Sequence, residues 1–290
     1  MSKLQGDTAE HRYYSGVFSY VDENGEARIS APAATHKVVS LRQAEAYKAE
    51  LEAEKWRSGS QGDFTFAAMR ELHEVYETLT TAQCGYLLLL QCYVNYDDGT
   101  LVNSDKTPMK TSDMMKALQL ERKRSTFYNF LNACIDNGII IEKDDGTYAV
   151  NQRYHFRGVT DNPFVIKSYT AKVKRVYKEV KAADLGLIYR MLPLVHYETN
   201  ALCANPFETV PEQIRFLNRK ELAEAIGVDP QTISKRLPKI TFDGEYVIAR
   251  VRIGDVERYM FNPWVFYRKS TAPDKTLRAL FSAKPARRKR

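Results

Sequence analysis

The sequence predicts an α+β chain, mainly α-helical, in which one arrangement of elements occurs twice. Three observations carry this reading. Two apolar segments, TAQCGYLLLLQCYVNYDDGTLVN from Thr81 and AADLGLIYRMLPLVHYETNALCA from Ala182, align with Ala82 over Ala183, Gly85 over Gly186, Tyr96 over Tyr197 and Leu101 over Leu202, a constant offset of 101. Two closing segments, NQRYHFR from Asn151 and NPWVFYR from Asn262, match at Asn151 with Asn262 and at Arg157 with Arg268. Between these ends each copy has the same order, a helix pair followed by a strand pair. Internal self-similarity of this kind marks a duplicated structural unit.

The 290 residues suit two domains, at roughly 100 to 200 residues each. Hydrophobic residues are 44% and charged residues 27%, ordinary globular usage that argues against a disordered, collagen-like or coiled-coil chain. The longest uninterrupted apolar run, Tyr86 to Leu90, is too short to span a bilayer, and the opening MSKLQGDTAEH holds no apolar signal core. A cytoplasmic location is expected, without membrane insertion or secretion. Cys84, Cys92, Cys134 and Cys203 are scattered among apolar residues and read as core packing in a reducing compartment. His11, His36, His73, His155 and His196 form no pair spaced to share an ion, so neither metal nor cofactor is expected. No phosphate-binding Gly-rich loop and no nucleophile elbow is present, and no enzymatic activity is expected. A nicking or recombinase tyrosine would need clustered Arg/His or a metal beside it, and is the minor alternative.

Along the chain, Ser15 to Tyr20 and Glu26 to Ile29 read as a hairpin turned by Asp22, Glu23, Asn24 and Gly25. Ser40 caps the helix LRQAEAYKAELEAEKWR, which a polar break at Ser58, Gly59 and Ser60 ends. Its sparse apolar stripe of Leu41, Ala44, Tyr47 and Leu51 reads as a solvated helix lying on the body. Residues 1–60 thus form an extension, with self-association or recruitment of another protein as its expected role. A first domain is placed at 64–160, a basic and helical linker at 161–181, a second domain at 182–270 and a basic disordered tail at 271–290.

The second copy is the clearer one. Asn218 caps RKELAEAI, Gly227 supplies the turn, and Pro230 opens PQTISKRLPK. Small Ala223 lets the two helices touch, while Leu222, Ile226, Val228, Ile233 and Leu237 hold the pair together. Gln231, Thr232, Ser234, Lys235 and Arg236 are left facing outward, where a groove-binding helix presents its base-reading side chains. In the first copy Thr111 or Ser112 caps DMMKALQL. A second helix comes next, with Phe127, Phe130, Leu131, Cys134 and Ile135 on one face. Arg122, Lys123, Arg124, Ser125 and Thr126 open that helix, with Tyr128 and Asn129 behind them. Cations at a helix start oppose the helix dipole, a placement that points to groove binding, with a solvated charged turn as the alternative.

Both copies then turn to strands: Ile139 to Glu142 with Thr147 to Val150, and Tyr246 to Ile253 with Val256 to Phe261. Helix-turn-helix plus β-hairpin makes a winged helix. The second wing carries Arg250, Arg252 and Arg258, suited to phosphate or minor groove, whereas the first carries Asp144 and Asp145 at its tip. The two modules are therefore not equivalent in contact.

Charge points to the partner. The net charge is +7; residues 1–100 hold 9 Lys/Arg against 15 Asp/Glu, and the remainder 34 against 21. A long cationic portion attracts polyanions by counterion release, so nucleic acid leads the expected partners. From Lys167 to Lys181 the chain brings Lys167, Lys172, Lys174, Arg175, Lys178 and Lys181 against Glu179 alone, either a solvated helix or, as its position between two readers favours, an electrostatic track. From Lys269 onward there are 8 Lys/Arg and one Asp, the composition of a basic arm.

With these elements in place, residues 64 to 268 resemble the tandem winged-helix replication initiators of plasmids and phages. The likeness rests most specifically on NRKELAEAIGVDPQTISKRL and on the closing NPWVFYR. It implies sequence-specific binding of double-stranded origin repeats through two winged helices, with host helicase and primase doing the catalysis. The N-terminal extension does not fit the family pattern. A winged-helix transcriptional regulator at a promoter operator is the alternative, since fold does not fix function, and a protein-recruiting scaffold is the minor one.

Overall fold

The computed structural model describes residues 17–37, 39–57, 62–96, 98–253 and 256–282. The chain divides into two compact units, Met1–Glu52 and Ala53–Arg290. No helix among the described residues is long and apolar enough to cross a membrane. The mixed helix and strand content is that of an α+β protein.

The first unit opens with a hairpin of β1 (Phe18–Val21) and β2 (Ala27–Ser30), paired from Phe18 with Ser30 to Val21 with Ala27. Asp22 turns it: its Oδ1 accepts from the Asn24 and Glu26 amides at 2.9 and 3.0 Å. Helix α1 (Leu41–Arg57) starts where Ser40 and Gln43 form a reciprocal cap, the Gln43 amide donating to Ser40 Oγ at 3.2 Å and the Ser40 amide to Gln43 Oε1 at 3.1 Å. The polar break at Ser58, Gly59 and Ser60 lies outside the described residues.

The second unit runs β3 (Phe64–Ala68), α2 (Leu72–Thr78), α3 (Thr81–Leu90), α4 (Thr111–Ala117), α5 (Arg124–Asp136), β4 (Ile140–Glu142), β5 (Tyr148–Val150) and β6 (His155–Phe156). It continues with β7 (Val165–Tyr169), α6 (Thr170–Glu179), α7 (Ala182–Met191), α8 (Arg219–Ala225), α9 (Pro230–Arg236), β8 (Thr241–Phe242), β9 (Glu245–Tyr246), β10 (Ile248–Ile253), β11 (Val256–Phe261), β12 (Phe266–Tyr267) and α10 (Arg278–Phe281). Its central sheet has the order β12-β7-β3-β6, antiparallel throughout. β3 and β7 begin 101 positions apart and pair about their own midpoint, Phe66 opposite Lys167. Their outer neighbours repeat the relation: Phe66 faces Phe156 in β6, and Lys167 faces Tyr267 in β12.

The same twofold relation governs the helices. α3 and α7, also 101 apart, cross where each carries a glycine. A Cβ on Gly85 would lie 1.9 Å from the Ala182 carbonyl oxygen, and one on Gly186 would lie 1.6 Å from that of Thr81. The glycine hydrogens in those places therefore point at carbonyl oxygens across the crossing. Matched backbone bonds surround it: Met69 N to Phe164 O with Thr170 N to Asp63 O, both 2.9 Å, and Leu101 N to Tyr148 O at 2.8 Å with Leu202 N to Tyr259 O at 2.7 Å.

The closing segments match for a structural reason. Asn151 Nδ2 donates to Gly138 O at 2.8 Å and Asn262 Nδ2 to Tyr246 O at 3.1 Å, each tying a closing segment to the strand pair before it. Arg157 lies over the Tyr96 ring at 4.4 Å and pairs with Asp63 at 2.6 Å. Arg268 lies over Tyr197 at 5.5 Å and donates to the Val195, Pro206 and Pro163 carbonyls at 2.8 to 3.0 Å.

Two expectations are corrected. Residues 161–181 are not a linker: β7 is a buried central strand, and α6 packs Val173, Val176 and Tyr177 inward. Lys167, counted among the surface cations, is 8% exposed, its Nζ donates to Lys269 O at 3.0 Å, and burial lowers it to about 8. Nor do 64–160 and 182–270 bury separate cores, because one cluster contains Leu87, Leu88 and Phe127 together with Leu185, Ile188 and Leu222. The cysteines are core residues, and burial pushes the Cys84 and Cys203 thiols up to about 11 and Cys92 to about 12.

Two outcomes are expected. In an open helix Gly→Ala stabilises by about 1 kcal/mol; at this crossing Gly85→Ala and Gly186→Ala each destabilise by about 3 kcal/mol or more in urea unfolding, because backbone must move. His155 is wholly buried with Nε2 2.9 Å from Tyr189 Oη, and burial lowers it to about 3. The unfolded chain takes up this proton below about 6.5 and the folded chain only near 3, so the His155 contribution is complete above pH 6.5 and declines as pH falls toward 3. His155→Phe, which installs the residue of the matched position 266, flattens the pH dependence of the urea midpoint over that window. An unchanged slope contradicts the assignment.

Candidate nucleic-acid interface

The second helix pair is built as its sequence demands. Asn218 Oδ1 accepts from the Lys220 and Glu221 amides at 2.9 and 3.2 Å, and Glu221 Oε2 accepts from the Asn218 amide at 2.8 Å. Gly227 takes φ of +69°, which allows Val228 N to reach Ala223 O at 2.9 Å. Asp229 Oδ1 then accepts from Gln231 N at 2.7 Å and opens α9 with Pro230 at its first position. Ile233 and Leu237 face the core.

On the outer face Gln231, Ser234 and Lys235 are exposed and Thr232 is half-buried. Lys235 Nζ donates to Gln231 Oε1 at 3.0 Å, and Arg219 Nη1 to Ser234 Oγ at 3.1 Å. Arg219 is not among the contacts expected from sequence; its signal is its place at the first position of α8. Arg236 is a correction, since its Nε pairs with Asp184 of α7 at 2.5 Å. Three residues after buried Ile233, it falls beside the apolar stripe and not opposite it.

In the first pair the cap is Lys110, not Thr111 or Ser112: its amide donates to Asp113 Oδ2 at 2.9 Å. The turn position is Gln119, a non-glycine residue at φ of +55°, succeeded by Leu120 N to Met115 O at 2.8 Å. α5 then begins with no acidic residue in its first turn. Arg122, Lys123, Arg124, Ser125, Thr126 and Asn129 are all exposed, and the three cations make no ion pair among the described residues. Tyr128 is exposed on the same helix, edge-on to Phe127 at 5.3 Å.

Both second helices are fixed to the crossing. Phe130 of α5 meets Tyr86 of α3 edge-on at 5.4 Å, and Gln83 Nε2 donates to Asn129 O at 3.4 Å. The matched position of Gln83 is Asp184, the partner of Arg236. The turns are pinned too: Tyr177 Oη donates to Leu118 O at 2.8 Å, and Arg190 bridges Ile226 O at 3.1 Å and Tyr76 O at 3.2 Å.

The strand pairs differ. The first tip is closed by Asp145, whose Oδ1 accepts from Thr147 N at 2.9 Å, and by Lys143 with Asp98 at 2.8 Å, which holds the Asp98 carboxyl at about 2. In the second, Arg250 lies opposite Tyr259 and Arg252 opposite Glu257, so the two share a face. Arg250 is exposed, 3.8 Å from Glu257, and Arg252 is exposed with a partner of its own. Arg258 lies opposite Val251 on the other face, half-buried over the Phe216 ring at 3.9 Å, and is corrected from an outward contact to a packing cation. Gly254 and Asp255 lie outside the described residues.

The cations expected to form a track divide: Lys172 and Lys174 are half-buried, 5.5 Å from the Phe242 ring and 3.7 Å from the Tyr93 ring, whereas Arg175, paired with Asp243, and Lys178 and Lys181 are exposed. Burial lowers Lys174. No group of three or more His, Cys, Asp or Glu able to hold a metal occurs among the described residues. No family model, curated protein or solved structure matches the chain.

Gln119 holds a left-handed conformation that costs a non-glycine residue about 1 kcal/mol. Gln119→Gly, which copies Gly227, raises stability by about 0.5 kcal/mol after the greater flexibility of unfolded glycine is counted. Thermal unfolding measures it; a lowered Tm contradicts the strain.

Proposed function

We propose that the chain binds double-stranded DNA sequence-specifically through two winged-helix modules. α4, α5, β4 and β5 form one; α8, α9, β10 and β11 form the other. The observation that carries this reading is the pair of exposed helices, α5 and α9, each fixed to one arm of the glycine crossing. Two readers related by a twofold axis suit two half-sites in opposed orientation on one duplex, as in a symmetric dimer. Their outward residues differ, so the half-sites differ in sequence. Arg122 and Arg124 suit guanine, which offers two acceptors to a guanidinium, and Gln231 suits adenine.

Within DNA binding we propose the role of an origin-binding replication initiator, as the resemblance of NRKELAEAIGVDPQTISKRL implies. Two unlike readers in one chain also favour an initiator, because simple regulators more often gain their second reader by homodimerising. Catalysis then belongs to host proteins, and the Met1–Glu52 unit is free to recruit them or a second copy.

Selection of bound duplexes from random DNA at about 150 mM salt tests the reading, since diffuse attraction is partly screened there. A bipartite motif with unlike halves is expected. Its occurrence as repeats beside a replication gene supports the initiator, whereas a promoter operator supports a regulator, and unselected DNA overturns specific binding. Arg124→Ala and Gln231→Ala each cost about 1 to 3 kcal/mol on the selected duplex and relax one half of it. Arg236→Ala lowers stability and leaves base preference unchanged, because its partner is Asp184.

A further inference from the structure

The twofold frame of the second unit encloses two matched cavities, and their chemistry has diverged. The second, of about 330 Å³, is lined by Arg268 and Tyr197, by the Phe164 and Phe207 rings and by Glu198 and Glu208. The two rings meet edge-on at 4.6 Å, Arg70 lies over Phe164 at 3.4 Å, and Arg268 already donates to three carbonyls. The first, of about 490 Å³, keeps the common part, Arg157 with Tyr96, and changes the rest. Asp63 stands at the position matched to Phe164, and Asn95, Asn103 and Ser104 bring amides and a hydroxyl. Its charged lining is Arg157, Lys174 and Lys106 against Asp63, whereas the second cavity sets one cation against two carboxylates among the described residues.

Lys174 is the residue that the frame does not explain. It is half-buried on α6, 3.7 Å from the Tyr93 ring, and makes no hydrogen bond or ion pair among the described residues. Its matched position is His73, an exposed residue whose Nδ1 lies 2.7 Å from Arg70 O, so the duplicated architecture asks for no cation there. Burial lowers Lys174 toward its neutral form, a cost that an anion beside it would offset. Arg157 Nη2 pairs with the exposed Asp63 carboxylate at 2.6 Å, which sets an anion in this cavity already.

We infer that the first cavity binds a small phosphate ester carried on a polar body, a nucleotide or a sugar phosphate. Arg157 and Lys174 meet the phosphate through charge-assisted hydrogen bonds, and Asn95, Asn103 and Ser104 face sugar hydroxyls or a base edge. The volume lies in the range of small-ligand sites. Its walls come from four chain segments: the residue before β3, the loop after α3, the residue after β6, and α6. A concave site of this kind takes a small molecule. The inference does not rest on the DNA-binding reading.

The full chain is titrated by calorimetry, in phosphate-free buffer, with AMP, ribose 5-phosphate, adenosine and inorganic phosphate. At least one ester binds with a Kd of about 1 mM or tighter, and adenosine and inorganic phosphate bind about tenfold or more weakly than it does. Saturation by AMP alone identifies a nucleotide, and saturation by ribose 5-phosphate shows that a sugar phosphate suffices. Lys174→Gln weakens ester binding about tenfold or more by removing one charged contact. Lys172→Gln, on the same helix but over Phe242, leaves it unchanged. Asp63→Asn removes the competing carboxylate and strengthens it. Absence of saturable ester binding, equal binding of adenosine or inorganic phosphate, or equal weakening in the two lysine variants overturns the proposal. On the selected duplex Lys174→Gln binds as the native chain does; loss of duplex affinity without ester binding makes the cavity a backbone contact and overturns it as well.

Discussion

The second unit depends on a close approach of two helices. At the α3–α7 crossing each glycine sits against a carbonyl of the other helix, so no side chain separates the backbones. Helix propensity alone would place alanine at both positions. The preference is overridden because the crossing sets the distance between the two halves, and through it the pairing of β3 with β7 at Phe66 and Lys167. Crossing and strand pair lie on one twofold relation, with the hydrophobic core continuous across it. The arrangement resembles an isologous dimer interface enclosed within one chain.

From this pivot the outer elements take their places. α5 is fixed through Phe130 and the Asn129 carbonyl, and α9 through Arg236 and Asp184. The turns before them are pinned by Tyr177 and Arg190, which come from α6 and α7. The proposed readers therefore cannot swing independently, as two domains on a flexible linker would. A ligand engaging both has to match a fixed separation, and preorganisation of this kind lowers the ordering cost of binding.

The halves share a frame and differ in how they use charge. Arg122, Lys123 and Arg124 stand exposed at the start of α5, against the helix dipole. In the second half several cations are drawn inward: Arg236 to Asp184, Arg258 onto Phe216 and Arg268 among three carbonyls. Burial lowers Arg268 to about 10, the mark of a guanidinium held for structure. Positive charge in the sequence thus overstates positive charge at the surface.

By itself the sequence determined the α+β content, the 101-residue offset between matched segments, the caps at Ser40 and Asn218, and the glycine turn at 227, because each depends on residues near one another in the chain or on direct alignment of two segments. The outward residues at the start of α5, and Gln231, Ser234 and Lys235 of α9, were legible for a similar reason, since helical spacing separates them from Phe127, Phe130, Ile233 and Leu237. Only the tertiary structure decided that 165–169 is a central strand. Its partner lies 101 positions away in β3, and alternate lysines in α6 disguised the segment as a solvated track. The same long-range contacts decided which cations remain free: nothing near Arg236 or Arg258 in sequence names Asp184 or Phe216. Local pattern fixes what an element is and which face it keeps dry; the surface that face meets is set by packing between residues far apart in the chain.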